Sequence, residues 1–232
     1  MVILAMAAHP DDIELHCGGT LVKYAKQGDK VFMGSLTNGN VGGPDTDLPE
    51  MARIRKAELE TSAKIIGAEV IWMGVDDELS DVSVDLRLKM TDVFRYCKPD
   101  IVITHASNDY HCDHRNCGQL VVDAAPLACV PKIIRELPFL KKQFEIYYMD
   151  NSDGIQFTPI EYVDITDVMD TKRKMLQCHV SQLTYAGNRG IDMVEKMETV
   201  SRFRGMASKC RYAEGFVRFE AGHRGITSRI LP

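Results

Sequence analysis

Residues Val2 to Ala8 form an unbroken apolar run, and the chain turns polar at once afterwards with His9-Pro10-Asp11-Asp12. A short apolar segment without alternation suits a strand buried on both faces of a parallel sheet, and such a sheet needs helices on each side. The rest of the chain keeps that rhythm. Its patterns predict a helix over residues 12–27 closed by Gly28, a strand over 31–37, a helix ending near Ile66 ahead of Gly67, and a strand over 70–73. They continue with a helix over 83–97, a strand over 101–105, a helix over 113–128 and a strand over 144–149. Beyond that the signal weakens: 162–165 reads as a strand, 168–179 and 191–207 as helices, and 214–220 as a short edge strand. The Gly/Asn/Asp/Pro-rich loop over 38–49 follows a strand and is a candidate substrate loop, with a solvated insertion as the plain alternative. The expected fold is α/β: a doubly wound, mostly parallel sheet of order 3-2-1-4-5 with helices on both faces.

Size and charge narrow the function classes. A chain of 232 residues with 45% hydrophobic content can bury one substantial core, so a single domain over 1–232 is expected, with its core in 1–150 and substrate or subunit contacts in 151–232. The net charge of −5 argues against a nucleic-acid groove and favours a small-molecule partner. No segment approaches the ~18 apolar residues of a membrane span, and the apolar start is too short for a signal peptide, which points to a cytoplasmic protein. Seven cysteines without a Cys-x-x-Cys pair read as reduced thiols, and a Cys112–Cys117 redox pair is the weaker reading. Gly18 and Gly19 suit close helix packing and lack the spacing of a dinucleotide fingerprint.

In the expected sheet the first and fourth strands are neighbours at the point where the winding reverses, and ligands bind beyond the carboxyl ends of strands there. His9-Pro10-Asp11-Asp12 follows the first strand and His111-Cys112-Asp113-His114 follows the fourth, so the topology brings the two motifs to one crevice. Carboxylates at a helix start can simply answer the macrodipole. Together with the histidines they also make a metal site: His9, Asp12 and His114 supply three ligands and leave a position open, the pattern of a catalytic zinc. Asp11 is left over as a general base, and His111 with Asp113 can form a carboxylate–imidazole pair that stabilises an oxyanion. Arg53 and Arg55 are candidate substrate-binding forks, against the alternative of a solvated helix face. Glu14 is placed either to brace neighbouring groups or to touch substrate. The same ligand set suits a non-haem Fe(II) oxygenase, and a non-catalytic metal-binding module is the third reading.

The string His9-Pro10-Asp11-Asp12-Ile13-Glu14 running on to Gly18-Gly19-Thr20, paired with His111-Cys112-Asp113-His114, resembles the LmbE-like, PIG-L superfamily of zinc-dependent N-deacetylases. Supporting patterns are Arg55-Lys56-Ala57-Glu58, Asp109, His179-Val180-Ser181-Gln182 and Tyr212-Ala213-Glu214-Gly215-Phe216. The resemblance implies a Rossmann-like fold and removal of acetyl groups from N-acetylglucosaminyl compounds or related amides. It implies Zn2+, with Fe2+ possible, held by His9, Asp12 and His114, and a catalytic set of Asp11, His111 and Asp113. It also implies a homo-oligomer, trimeric or hexameric. Cys112 departs from the pattern, where proline or an aliphatic residue is more usual.

Overall fold

The computed structural model describes residues 1–43 and 45–221. The elements are β1 (Val2–Ala7), α1 (Asp12–His16), α2 (Gly18–Lys26), β2 (Lys30–Thr37), α3 (Leu48–Ile65), β3 (Glu69–Val75), α4 (Val84–Cys97), β4 (Ile101–His105), α5 (Cys112–Ala128) and β5 (Glu145–Met149). There follow β6 (Glu161–Asp164), α6 (Met169–Leu176), α7 (Val180–Gly187), α8 (Met193–Ser208) and β7 (Ala213–Arg218).

One sheet runs β3-β2-β1-β4-β5-β7-β6. Its first five strands are parallel and in the expected order, with β1 between β2 and β4. β7 pairs antiparallel with both β5 and β6. The late strand expected at an edge is therefore an interior strand, and the edge belongs to β6.

Successive side chains of a strand point to opposite faces, and β1 shows what that does for the core. Ile3, Ala5 and Ala7 face α1, α2, α3 and α6, where Ile13, Leu21, Leu59 and Met175 meet them. Leu4, Met6 and Ala8 face α4 and α5 and pack with Met90, Phe94, Leu120 and Ala124. Ile3, Leu4 and Met6 are fully buried, each stabilising the fold by ~1.5–3 kcal/mol.

Helix starts follow capping chemistry. Asp47 accepts from the Glu50 N–H at 2.9 Å ahead of α3, and Ser83 accepts from the Leu86 N–H at 3.3 Å ahead of α4. The helix expected over 12–27 is two helices, broken at Cys17, whose φ of −140° is not helical. The cause lies far along the chain. Glu214 on β7 accepts from the Gly19 and Thr20 N–H groups at 2.8 and 2.7 Å, capping α2 from outside, and Lys172 pairs with the same carboxylate at 2.6 Å. A Cβ on Gly19 would lie 2.8 Å from Ile165, so only glycine lets this helix approach so closely.

Candidate metal centre

β1 and β4 run side by side, and the chain leaves both carboxyl ends into one crevice. The turn after β1 folds back on itself: Asp12 Oδ2 accepts from the His9 N–H at 2.7 Å, and the Ala8 N–H donates to His105 Nε2 at 3.0 Å. α5 presses against the end of β4 at Gly118, where a Cβ would lie 2.3 Å from the His105 carbonyl oxygen. Those two contacts fix His114, one turn into α5, opposite His9.

The hydrogen bonds decide which nitrogen of each ring is free. His114 Nδ1 lies 3.0 Å from Asp109 Oδ1, and a carboxylate only accepts, so this nitrogen carries the proton and Nε2 faces inward. His9 Nε2 is 3.0 Å from Asp77 Oδ1, which leaves Nδ1 inward. His9 Nδ1 and His114 Nε2 stand 3.2 Å apart, close enough that a proton or a cation must lie between them. Asp12 closes a triangle of side chains through two different oxygens, Oδ2 at 3.2 Å from His9 Nδ1 and Oδ1 at 3.3 Å from His114 Nε2. Ligand atoms ~2.0–2.1 Å from a tetrahedral metal stand ~3.3–3.4 Å from one another. The three expected side chains present ligand-type atoms at about that spacing, and each histidine is backed by a carboxylate as metal-bound histidines usually are.

Electrostatics agree. Burial opposes charge on His114, but Asp12 and Asp109 outweigh it and raise the imidazole to about 9. Burial likewise opposes charge on His9, and Asp12, Asp113 and Asp77 lift it well above its ordinary range. Burial raises and the surrounding histidines lower Asp12, with a net shift well below the usual carboxylate range. The pocket is built to hold positive charge. His105, whose Nε2 accepts from the Ala8 N–H, also groups with Asp12 and His114 as a set of ligand-type side chains. Burial, with His114 beside it, pushes it down to about 4. His16, 4.0 Å from Asp12, is pushed down by burial to about 3 and stays neutral.

The other expected residues divide. Asp11 stands outside the triangle, its Oδ1 accepting from Arg55 Nη2 at 3.0 Å. Arg55 is 3% exposed and its Nε has no partner. Arg53, two residues away, pairs with Glu50 at 2.6 Å on the exposed flank of α3. Residues two apart on a helix point ~200° apart, so the pair of forks expected at one site is a single fork, Arg55.

His111 and Asp113 do meet, but not as a carboxylate–imidazole pair. His111 caps α5, its Nδ1 accepting from the Asp113 N–H at 3.2 Å. The Asp113 carboxylate turns the other way, accepting from the Glu78 N–H at 2.8 Å and from Ser80 Oγ at 2.5 Å, with His9 Nε2 at 3.4 Å. Burial raises Asp113 while His9 and Ser80 pull it down, and the net position is well below the carboxylate range. Cys112 is exposed at the start of α5, its Sγ beside Asn116 and outside the triangle.

Asp77 and Glu78 were not anticipated. The signal was there in Asp76-Asp77-Glu78, an acidic run directly after a third strand that ends on the same side of the sheet. Glu14 is a brace, fully buried, accepting from Ser62 Oγ at 2.5 Å and lying 3.0 Å from His179 Nε2. No helix among the described residues is long and apolar enough to cross a membrane.

Comparison with known proteins gives the family. The diacetylchitobiose deacetylase of Thermococcus kodakarensis is 30% identical over 236 residues, covering 95% of this chain and 83% of that protein. The 4-oxalmesaconate hydratase of Pseudomonas putida is 26% identical over 194 residues, covering 77% of this chain and 73% of that protein. Among solved structures, the N,N'-diacetylchitobiose deacetylase of Pyrococcus horikoshii, complexed with its inhibitor MPG, superposes with a TM-score of 0.82 at 27% identity. That match covers 94% of this chain and 83% of that one. The family profile PIG-L, described as GlcNAc-PI de-N-acetylase, matches residues 4–125, so the chain belongs to the PIG-L family of metal-dependent hydrolases.

Proposed function

We propose that the protein is a zinc-dependent N-deacetylase acting on N-acetylglucosaminyl sugars or sugar conjugates, with its metal on His9 Nδ1, Asp12 and His114 Nε2. The observation that carries this reading is the triangle of side chains whose ligand-type atoms meet at 3.2–3.3 Å, with Asp11 outside it and paired to Arg55. Fe2+ accepts the same donors. A bound metal would polarise the amide carbonyl and acidify water.

The chain's own groups supply the rest. Asp11, held in direction by Arg55, takes the proton of the attacking water as its oxygen bonds to the carbonyl carbon, and returns it to the nitrogen as the C–N bond breaks. His111, with Nδ1 committed to the backbone and Nε2 3.2 Å from Glu78 Oε1, is the group we assign to the developing oxyanion. A preorganised donor of this kind is worth ~2.7–4 kcal/mol. Asp113 acts through position: its N–H orients His111 and its carboxylate anchors residues 78–80. Arg55, with an unpartnered buried Nε, is the side chain we assign to a substrate hydroxyl. Arg53 has no part in this scheme.

A homotrimer or homohexamer in the cytoplasm belongs to the same proposal, supported by the exposed Phe203 and Met206 on α8. The test is acetate release from N-acetylglucosamine, N,N'-diacetylchitobiose and related conjugates, before chelation, after it, and after zinc is restored. Acetate release that is lost and regained with the metal supports the reading. Zinc-loaded protein that releases no acetate across the panel but hydrates 4-oxalmesaconate would overturn it, since one relative is a 4-oxalmesaconate hydratase.

A further inference from the structure

Tyr110 is 61% exposed, yet both of its neighbours in the chain belong to the metal centre. Asp109 backs His114 at 3.0 Å, and His111 caps α5 on the other side. The backbone around the tyrosine is tied down. Arg115 Nη1 donates to the Asp109 carbonyl at 2.8 Å and to the Tyr110 carbonyl at 2.7 Å, and Asn108 Nδ2 donates at 3.0 Å to the Gln156 carbonyl in the loop after β5.

The ring itself crosses two imidazoles edge-on, its centroid 5.9 Å from that of His111 at 84° and 5.7 Å from that of His114 at 65°. Among the described residues it is the one tyrosine, phenylalanine or tryptophan in ring contact with the site histidines. A lone exposed tyrosine elsewhere on a surface needs no explanation. This one is held in place beside the metal ligands and left uncovered, so the surface it offers is available to whatever the site binds.

In an N-acetylglucosaminyl compound the carbon that bears the amide nitrogen belongs to the pyranose ring and is two bonds from the carbonyl carbon under attack. A carbonyl held at the triangle of His9, Asp12 and His114 therefore sets the sugar ring among the residues around that triangle. With its substituents equatorial, the ring turns a face of axial C–H groups outward. Those hydrogens carry slight positive charge, and the face of an aromatic ring is negative. We propose that Tyr110 is the platform on which the pyranose ring of the substrate stacks, a role that rests on the deacetylase reading for the identity of the sugar. The C–H face of the sugar meets the tyrosine, while its hydroxyls are left to polar groups such as Arg55. The aromatic ring carries this role; the phenol hydroxyl is not needed for it.

The test separates ring from hydroxyl and binding from chemistry. Zinc-loaded wild type, Tyr110→Phe and Tyr110→Ala are compared by steady-state acetate release from N,N'-diacetylchitobiose, by zinc content and thermal unfolding, and by calorimetric titration with glucosamine, which carries no acetyl group to release. Tyr110→Phe should keep both KM and glucosamine affinity. Tyr110→Ala should raise KM and weaken glucosamine binding by ~10-fold, about what covering one aromatic side chain contributes. Its kcat should change little, because stacking is present in the bound substrate and in the transition state alike. Zinc content and Tm should stay at wild-type values, since the ring is uncovered in the free protein. Tyr110→Ala with wild-type KM and glucosamine affinity would overturn the proposal. So would Tyr110→Phe failing as Tyr110→Ala does, which would give the role to the hydroxyl, or loss of zinc from Tyr110→Ala, which would make the ring a support for His114. If wild type releases no acetate, the deacetylase reading fails, and the glucosamine titrations still decide the role of Tyr110: equal affinities, or no binding to wild type, would remove the platform.

Discussion

His114 donates from Nδ1 to Asp109 at 3.0 Å, and that single bond determines that the other ring nitrogen faces Asp12 and His9. Asp109 does not touch the triangle's interior. It sets which lone pair is available there.

Asp109→Asn should therefore weaken zinc binding by ~10–100-fold without unfolding the protein, the usual cost of losing the carboxylate behind a ligating histidine. Competition against a chelator of known affinity measures it. Unchanged affinity would mean that the ring is oriented by packing alone.

Asp11 offers the complementary case. Since it pairs with Arg55 and lies outside the triangle, Asp11→Asn should bind zinc stoichiometrically and lose ~10²–10⁴-fold in turnover. Metal analysis alongside kcat decides it, and a parallel loss of both would make Asp11 a ligand.

His179 carries the pH prediction. Burial works against its charge, but Glu14 at 3.0 Å, with Asp11 behind it, lifts the imidazole above its ordinary range. Between the unfolded value of ~6.5 and the raised folded value, the native chain binds the extra proton, so stability falls as pH rises through that interval. The contribution is complete below ~6.5. His179→Gln leaves Glu14 buried without its cation, a loss of ~3–5 kcal/mol where the pair is charged. Urea unfolding should show a larger gap between wild type and variant at pH 6 than at pH 9. An equal gap at both would show that the histidine is neutral throughout.

Gly118 tests how tightly the two motifs are held in register. A Cβ there would lie 2.3 Å from a backbone oxygen of His105, so helix and strand must separate to admit it. Gly118→Ala should cost ~1–3 kcal/mol of stability. It should also weaken zinc binding, because His114 rides on the same helix; calorimetry of unfolding and of zinc titration reads both effects.

The five parallel strands and the meeting of the two motifs were legible because apolar runs and their order are local properties, and the winding rule turns that order into neighbourhood. In the C-terminal third the strands and two of the three helices were legible as elements, but their arrangement was not. β7 takes its place by pairing with β5 and β6, a choice made by residues far apart in the chain, and α7 is a single eight-residue helix with one buried residue, Gln182. The His111–Asp113 pair shows a finer limit. Spacing put the two side chains together, but a capping residue lies outside the helix while Asp113, fully buried, points into the protein, and the ring meets its neighbour's N–H instead. The supporting patterns gained meaning only in three dimensions: Glu58 accepts from the Ser181 N–H and hydroxyl at 2.7 and 2.6 Å, and Gln182 reaches the Gly42 carbonyl at 2.8 Å.

Glu214 closes the second helix across 195 residues of sequence. The chain emerges from the ribosome with His9 and Asp12 first, yet the cap on α2 and the His179 contact to Glu14 have no partners until most of the protein has been made. Folding of this family member thus needs some contacts between distant parts of the chain, and such contacts form slowly. The side chains of the triangle all lie within the first 114 residues, so it is the bracing of the first motif, and not the meeting of the two motifs, that waits for His179 and Glu214.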